Sequence, residues 1–248
     1  IGTFNNWQKI DEFRLTKTEG GVWEINLTQE KIKHGDLYKI FVIWHGGSGE
    51  RIPAWSKRVV QDHHTYIFSA QVWEPDNKYT FKHTHFKPST SPLLIYETHV
   101  GMSTSDEKVG SYNEFRENIL PRIKDNGYNA IQIMAIQEHP YYGSFGYHVS
   151  SFFANSSRNG TPEELRELID AAHEMGIAVI MDIVHSHAVK NETEGIGRID
   201  GSYDLYFHSN PSKRYHKAWD SLCFDYRKDE VLHFLLSNCK YWLEEFKF

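Results

Sequence analysis

Long apolar runs and an excess of positive charge are absent from this sequence, and cysteine is scarce. No stretch approaches the roughly 18 uninterrupted apolar residues that a membrane-spanning helix needs, and residues 1–248 contain no basic-then-apolar run of the kind expected of a leader. The balance of 27 Lys+Arg against 33 Asp+Glu gives a net charge of -6. Such a surface has no general attraction for phosphate backbones or anionic lipid, so neither nucleic acid nor a membrane is an expected partner. The two cysteines, Cys223 and Cys239, are too few for a disulfide framework, and a reducing cytoplasm fits them best. Aromatic residues, by contrast, are plentiful: 7 Trp, 14 Tyr and 15 Phe, several in segments also rich in Gly, Asn or His, where a core alone does not require them. Such rings suit the faces of sugars.

With 248 residues the chain can form one large domain or two ordinary ones. The first ninety residues read as short strands at 22–27, 37–45, 65–73 and 79–83. Turns at Gly20-Gly21, Gly46 to Gly49 and Pro75-Asp76-Asn77 separate them, the spacing of an antiparallel sandwich. Trp23 is expected to pack inside its alternating strand. The opening Ile1-Gly2-Thr3-Phe4 reads as a strand already under way. A linker with two prolines follows at 86–92, which places one domain at 1–87 and a second at 93–248.

Beyond the linker the rhythm becomes strand then helix, at 93–100, 111–126, 130–136, 161–175, 177–184 and 229–246, which argues for a parallel sheet. Thr161-Pro162-Glu163-Glu164 carries a capping Thr, Pro at the first helical position and Glu three residues after the cap. Ser111 to Glu114 makes a second such box, and Gly127 and Gly176 supply the stops. Pro121 should kink or shorten the first of these helices. Three strand-helix units fit either an open doubly wound sheet or part of an eight-fold barrel.

In either architecture, ligands sit at the carboxyl ends of the strands. The third strand ends in Asp182-Ile183-Val184-His185-Ser186-His187, where a carboxylate in an apolar strand needs either a charged partner or backbone donors. The same residues, Asp182, His185 and His187, carry a His-x-His spacing that metal-dependent hydrolases use for zinc, although no further ligand is evident. The second strand runs into a loop with Tyr141, Tyr142, Phe145 and Tyr147 and two glycines. Its rings could stack on a sugar or close into a lid packed on itself.

Taken together, Asp182 to Ala188, Glu138-His139-Pro140-Tyr141-Tyr142-Gly143-Ser144-Phe145-Gly146-Tyr147 and Ser157 to Leu165 resemble the glycogen (1,4-alpha-glucan) branching enzymes of the alpha-amylase superfamily, in order and in spacing. Phe4-Asn5-Asn6-Trp7, Gly21 to Glu24 and Ile52 to Lys57 are similar, more loosely, to the carbohydrate-binding sandwich module that precedes the barrel in that family. His148 stands where the family commonly has Gln. The resemblance implies an immunoglobulin-like all-β sandwich followed by the first three βα units of a TIM barrel. It implies retaining transglycosylation by a monomer that needs neither metal nor cofactor, on alpha-1,4-glucan or glycogen. Tyr147 would stack at the cleavage site, His187 would bond the sugar hydroxyls, and Asp182 would hold an arginine of a fourth strand. Trp7 and Gln8, with Glu24 and Lys57, would bind glucan on the sandwich. Trp242 to Phe248 resembles the approach to that fourth strand, so no catalytic carboxylate is expected within 1–248. A glucan-binding fragment without activity is the alternative from another class.

Overall fold

The computed structural model describes residues 1–248. As far as residue 92, every regular element is a strand or a single 3-10 turn. The strands are β1 (Thr16–Lys17), β2 (Trp23–Glu24), β3 (Leu37–Tyr38), β4 (Ile40–Trp44), β5 (Gly47–Arg51), β6 (Val59–Gln61) and β7 (Phe68–Gln71). They pair antiparallel as β1-β2, β4-β5 and β3-β7-β6. The buried core of this region is small, with Ile52, Val59, Phe68 and Ala70 packed on Ala154 from later in the chain.

Several strands differ from the sequence reading. The run at 22–27 is reduced to the two residues of β2, and Trp23 is 60% exposed rather than packed, because nothing covers the face of the β1-β2 ribbon. The glycine run read as a turn is β5, joined to β4 by His45 and Gly46. Glycines at 47 and 49 leave room there for the indole of Trp44, which a side chain would meet at 2.8 and 3.3 Å. Residues 79–83 form no strand, because α-helical carboxylates take their backbone donors. Glu163 accepts from Tyr79 N at 2.8 Å, and buried Asp170 accepts from Lys82 N, His83 N and the Tyr79 hydroxyl at 2.8, 3.0 and 2.7 Å.

The second region follows the expected alternation: β8 (Ile95–Thr98), α1 (Tyr112–Glu114), α2 (Leu120–Asp125), β9 (Ala130–Ile133), β10 (Gln137–Glu138), β11 (Ser151–Asn155), α3 (Pro162–Glu174) and β12 (Ala178–Met181). It ends with β13 (His187–Ala188), α4 (Pro211–Arg214), β14 (Tyr215–His216), β15 (Ser221–Cys223) and α5 (Asp229–Phe246). β8, β9 and β12 are parallel, with Ile95, Ala130 and Ala178 aligned at one end and Thr98, Ile133 and Met181 at the other. Their spatial order follows chain order, so these three strands contain none of the reversals at which doubly wound sheets place their ligands.

Both capping boxes form: Ser111 Oγ accepts from Glu114 N and Thr161 Oγ1 from Glu164 N, each at 3.2 Å, while both glutamates accept in return. Gly127 and Gly176 end their helices at φ of 83° and 73°. The expected interruption at Pro121 is a π-helical turn, Phe115–Ile119, between α1 and α2. Pro121 has no N–H, and its ring would clash with the carbonyl four residues back. A core of 30 buried residues unites the sheet, α2, α3 and α5. Direct bonds tie the two regions together: Arg58 Nη1 donates to Gly160 O at 2.6 Å and Trp73 Nε1 to Glu163 Oε1 at 3.1 Å. No helix is long and apolar enough to cross a membrane.

Candidate functional site

The carboxyl ends of β9 and β12 converge on Asp182, whose backbone N–H donates to Ile133 O at 3.0 Å and so continues the parallel ladder. Asp182 Oδ2 accepts the hydroxyl of Tyr147 at 2.7 Å. Burial, and then this bond, push the Tyr147 phenol up to about 12, so it stays a donor. Chain geometry delivers the tyrosine. Phe145 and Gly146 both take left-handed conformations, at φ of 52° and 90°. A Cβ at Gly146 would stand 1.8 Å from Ala135 O, so only glycine lets the loop pass there and turn back over the strand ends. Tyr142 and Phe145 meet the ring of His99 edge-on, whereas Tyr141 remains exposed, so part of the loop is a packed lid and part is open.

His187 is buried, and both of its ring nitrogens are engaged: Nε2 donates to Tyr147 O and Nδ1 accepts from Ser186 Oγ, each at 2.9 Å. Burial lowers its pKa, which keeps the ring neutral and consistent with that tautomer. The ring reaches a sugar hydroxyl only if one of these bonds is given up. His185 turns away from Asp182 toward α5, where Nε2 donates to Asn238 Oδ1 at 2.9 Å and Nδ1 faces Cys239 Sγ at 3.8 Å. Asn238 is buried and also accepts from Gln137 Nε2 and donates to Phe152 O. Asp182, His185 and His187 therefore do not converge, and no group of three or more His, Cys, Asp or Glu side chains comes together to hold a metal ion. The zinc reading loses its geometric basis.

Three groups at this rim were not singled out from the sequence as candidates for the site. Trp219 is 51% exposed, lies flat on His216 with ring centres 4.0 Å apart, and approaches His187 at 5.0 Å. His148 Nε2 donates to Trp219 O at 2.9 Å and anchors that segment to the Tyr147 loop. Only the exposed indole next to a histidine-rich run could have pointed to this stack. Asn238 left one signal, a polar residue on the apolar stripe of α5. The rim as a whole offers an open indole, a tyrosine, a carboxylate and the neutral imidazole of His187, which are groups that bind and orient a polyhydroxyl ligand. Glu138, the other acid close by, is fully buried and committed to Ser157 N at 2.7 Å and Arg158 at 3.4 Å.

The N-terminal candidates are dispersed. Trp7 is 37% exposed, with φ of 59° after Asn6 at 53°, so a left-handed turn holds its indole out of the strands. The ammonium of Lys39 lies 6.0 Å from its ring centre. Gln8 is exposed beside it. Glu24 is exposed on β2, and no hydrogen bond or ion pair links it to Trp7, Gln8 or Lys57. Lys57 points its ammonium over Tyr241 of α5 at 5.6 Å.

The family model for the alpha amylase catalytic domain matches residues 102–246, more than half of the chain. The chain belongs to the alpha-amylase family. In this alpha-amylase family chain, residues 1–63 also match carbohydrate-binding module 48, described as the isoamylase N-terminal domain. Over its whole length the chain is 52% identical to 1,4-alpha-glucan-branching enzyme 2-2, chloroplastic/amyloplastic, of Arabidopsis thaliana, covering 31% of that protein. It is 50% identical to the 1,4-alpha-glucan-branching enzyme of Emericella nidulans, again over all of this chain and 37% of the other. It thus spans about a third of the length of these relatives. Among solved structures, the catalytic module of the pneumococcal glycogen-degrading virulence factor SpuA superposes with a TM-score of 0.74 at 18% identity, over 94% of this chain and 39% of that one. The Group B Streptococcus pullulanase SAP does so with a TM-score of 0.74 at 20% identity, over 94% and 35%. These two likenesses concern the fold.

Proposed function

We propose that this chain is the glucan-holding portion of a 1,4-alpha-glucan branching enzyme, a transferase that cleaves alpha-1,4 links and re-forms them as alpha-1,6 branches. The observation that carries the reading is the 47 to 52% identity to branching enzymes from a plant and several fungi, sustained over the whole chain. In finer detail, residues 1–87 form an immunoglobulin-like carbohydrate-binding sandwich, and 93–248 form the first three βα units of a (β/α)8 barrel. The sequential order of β8, β9 and β12 supports the barrel. The protein works as a cytoplasmic monomer on glycogen or a similar glucan, without metal or cofactor.

At the rim, Tyr147 stacks against the sugar at the cleavage site while its hydroxyl stays on Asp182, and His187 exchanges Ser186 for a sugar hydroxyl. Asp182 has a second carboxylate oxygen for an arginine. Retaining chemistry requires two carboxyl groups about 5 Å apart. We assign neither to a residue of 1–248, so this portion supplies position rather than bond breaking.

The test uses this polypeptide with amylose and maltoheptaose. Iodine staining should stay constant, because nothing here forms a glucosyl-enzyme. A steady loss of stain with new alpha-1,6 links would overturn the assignment. On the sandwich, Trp7→Ala should weaken maltoheptaose binding by about 1 to 3 kcal/mol, taking a stacked aromatic as guide, and leave the melting temperature nearly unchanged. A collapsed melting temperature with intact affinity in the folded fraction would make Trp7 a packing residue.

A further inference from the structure

Between β13 and α4 the chain runs from 189 to 210 without a helix or strand. Connections that long without regular structure are uncommon in compact domains and are usually functional or disordered. This one is anchored. Ile196 is buried in the main core, and a second hold comes from the β region. Arg51, at the end of β5, is buried; its Nε donates to Arg198 O at 3.0 Å, and its Nη2 lies 3.9 Å from Glu192. The same guanidinium lies 4.9 Å from the ring centre of Trp44. That indole rests on the backbone of Gly201, at φ of 82°, where a Cβ would stand 2.3 Å from it. Only glycine admits so close an approach. The β4-β5 ribbon therefore grips 198–201 by a hydrogen bond and by a flat apolar face.

From that grip, contacts continue to the rim. Arg198 turns back on its own loop, donating to Gly201 O at 2.9 and 2.6 Å and to Glu192 at 3.3 Å, and it faces the ring of Tyr203 at 5.6 Å. Arg214 lies against both Tyr203 and Tyr215, 4.2 and 5.0 Å from their ring centres, which is within the reach of a cation–π contact. Tyr215 and His216 make up β14, and His216 is the ring on which Trp219 stacks. Lys190 adds a second route. It pairs with Asp220, the neighbour of Trp219, and stands 5.6 Å from the ring centre of Tyr215. The far end has ties of its own, since β14 pairs with β15 and His148 donates to Trp219 O. Neither tie reaches 190–203, so the placement of Lys190 and Tyr203 falls to Ile196 and the ribbon.

We propose that Trp44 and Arg51 are positioning residues for the rim. By fixing 198–201 they set Lys190, Tyr203 and Arg214, and through these the angle at which His216 and Trp219 face a ligand. Neither residue touches that ligand. The consequence for sugar binding rests on the glucan reading above, whereas the placement of Trp219 does not.

Indole N–H resonances of the full 15N-labelled chain test the placement first, without sugar. Trp44→Phe and Arg51→Ala should each shift the Trp219 indole and leave those of Trp7 and Trp73 in place. Arg51→Lys, which keeps a donor, should restore the Trp219 resonance in part. A residue that served stability alone would move the signals next to it, or all of them on unfolding, but not that of Trp219 selectively. Titration with maltoheptaose then reads the consequence. In Arg51→Ala the dissociation constant read at Trp219 should rise about two- to thirtyfold, the range for residues that act on a site without touching its ligand, while the constant read at Trp7 holds. A Trp219 resonance unmoved in both Trp44→Phe and Arg51→Ala would overturn the proposal and show that His148 and β15 hold the rim unaided. If Arg51→Ala unfolds the β region, with the Trp7 and Trp73 signals lost, Trp44→Phe decides alone. A moved Trp219 resonance with an unchanged constant would overturn the role toward the ligand. A moved resonance in the variants, with no wild-type indole responding to maltoheptaose, would keep the placement and remove the glucan reading.

Discussion

The two regions of this chain reach order by different means. In the α/β part, helices carry their own start and stop signals and pack on a core of 30 buried residues. In the β part, a buried cluster of five residues, one of them borrowed from the other region, supports three small sheets, while Val22, Trp23, Ile43 and Tyr66 remain exposed. Contact with the second region does the rest, through Arg58, Trp73 and the backbone of 79–83, all held by α3 or the turn before it. A segment with little core of its own is therefore shaped by where its polar groups find partners. A segment with a large core is shaped by local periodicity and caps.

Two left-handed glycines give the sharpest contrast. Gly21, at φ of 79°, has nothing within 4 Å of where a Cβ would stand, whereas Gly146, at 90°, would place one 1.8 Å from a carbonyl oxygen. Gly146→Ala should cost about 3 kcal/mol or more, the sum of backbone strain and a clash with main chain that cannot swing aside. Gly21→Ala should cost only about 1 kcal/mol, the conformational penalty alone. Urea denaturation of both variants measures the difference. Equal effects would mean that the Tyr147 loop relaxes freely and that its geometry is not fixed by Ala135.

What the sequence made legible follows the same division. The capping boxes at Ser111 and Thr161, the stops at Gly127 and Gly176 and the break near Pro121 all act within a few residues, and each is found where periodicity and spacing put it. The β5 strand could not be read, because its glycines are there to accommodate Trp44, a cross-strand neighbour. The absence of a strand at 79–83 was equally hidden, since its cause, Asp170, lies 87 residues further on. At the rim, the fold brings Tyr147 and Asp182 into a hydrogen bond, and the roles toward a glucan that the resemblance implied for them are for the experiments to test. The stack of Trp219 on His216, and the capture of His185 by Asn238, depend on the folding of three short strands and α5 against one another, which local pattern does not encode.

Acid should separate the regions in the opposite sense. Five histidines whose pKa burial pushes down, His99, His139, His173, His185 and His187, all lie in the α/β part. The largest shift is that of His139, brought down to about 4. Its folded pKa lies below its unfolded value of about 6.5, so the unfolded chain binds the extra proton first. The stability that neutral His139 contributes is complete above about pH 6.5 and is lost as pH falls toward 4, on the order of 3 kcal/mol over that window. Urea midpoints at pH 7 and pH 5 should differ, and His139→Gln should flatten the difference by about 2 kcal/mol. An unchanged slope in that variant would assign the acid sensitivity to other groups.

The smallest expected effects test whether local signals carry weight in one region and not in the other. Thr161 bonds the N–H of Glu164 and, through the reciprocal bond from its own N–H to that glutamate, fixes the start of α3. The helix then presents Glu163 and Asp170 to the β region. Thr161→Ala should cost about 1 kcal/mol, the usual loss on removing such a cap. Trp23 is much the larger side chain, and size alone would predict the larger loss. It is exposed on a two-residue strand, however, so Trp23→Ser should change stability by less than about 0.5 kcal/mol. Unfolding free energies of the two variants in one buffer decide the order. A greater loss at Trp23 would show that the β1-β2 ribbon is packed against something in solution, and that this region relies on burial as much as the other does.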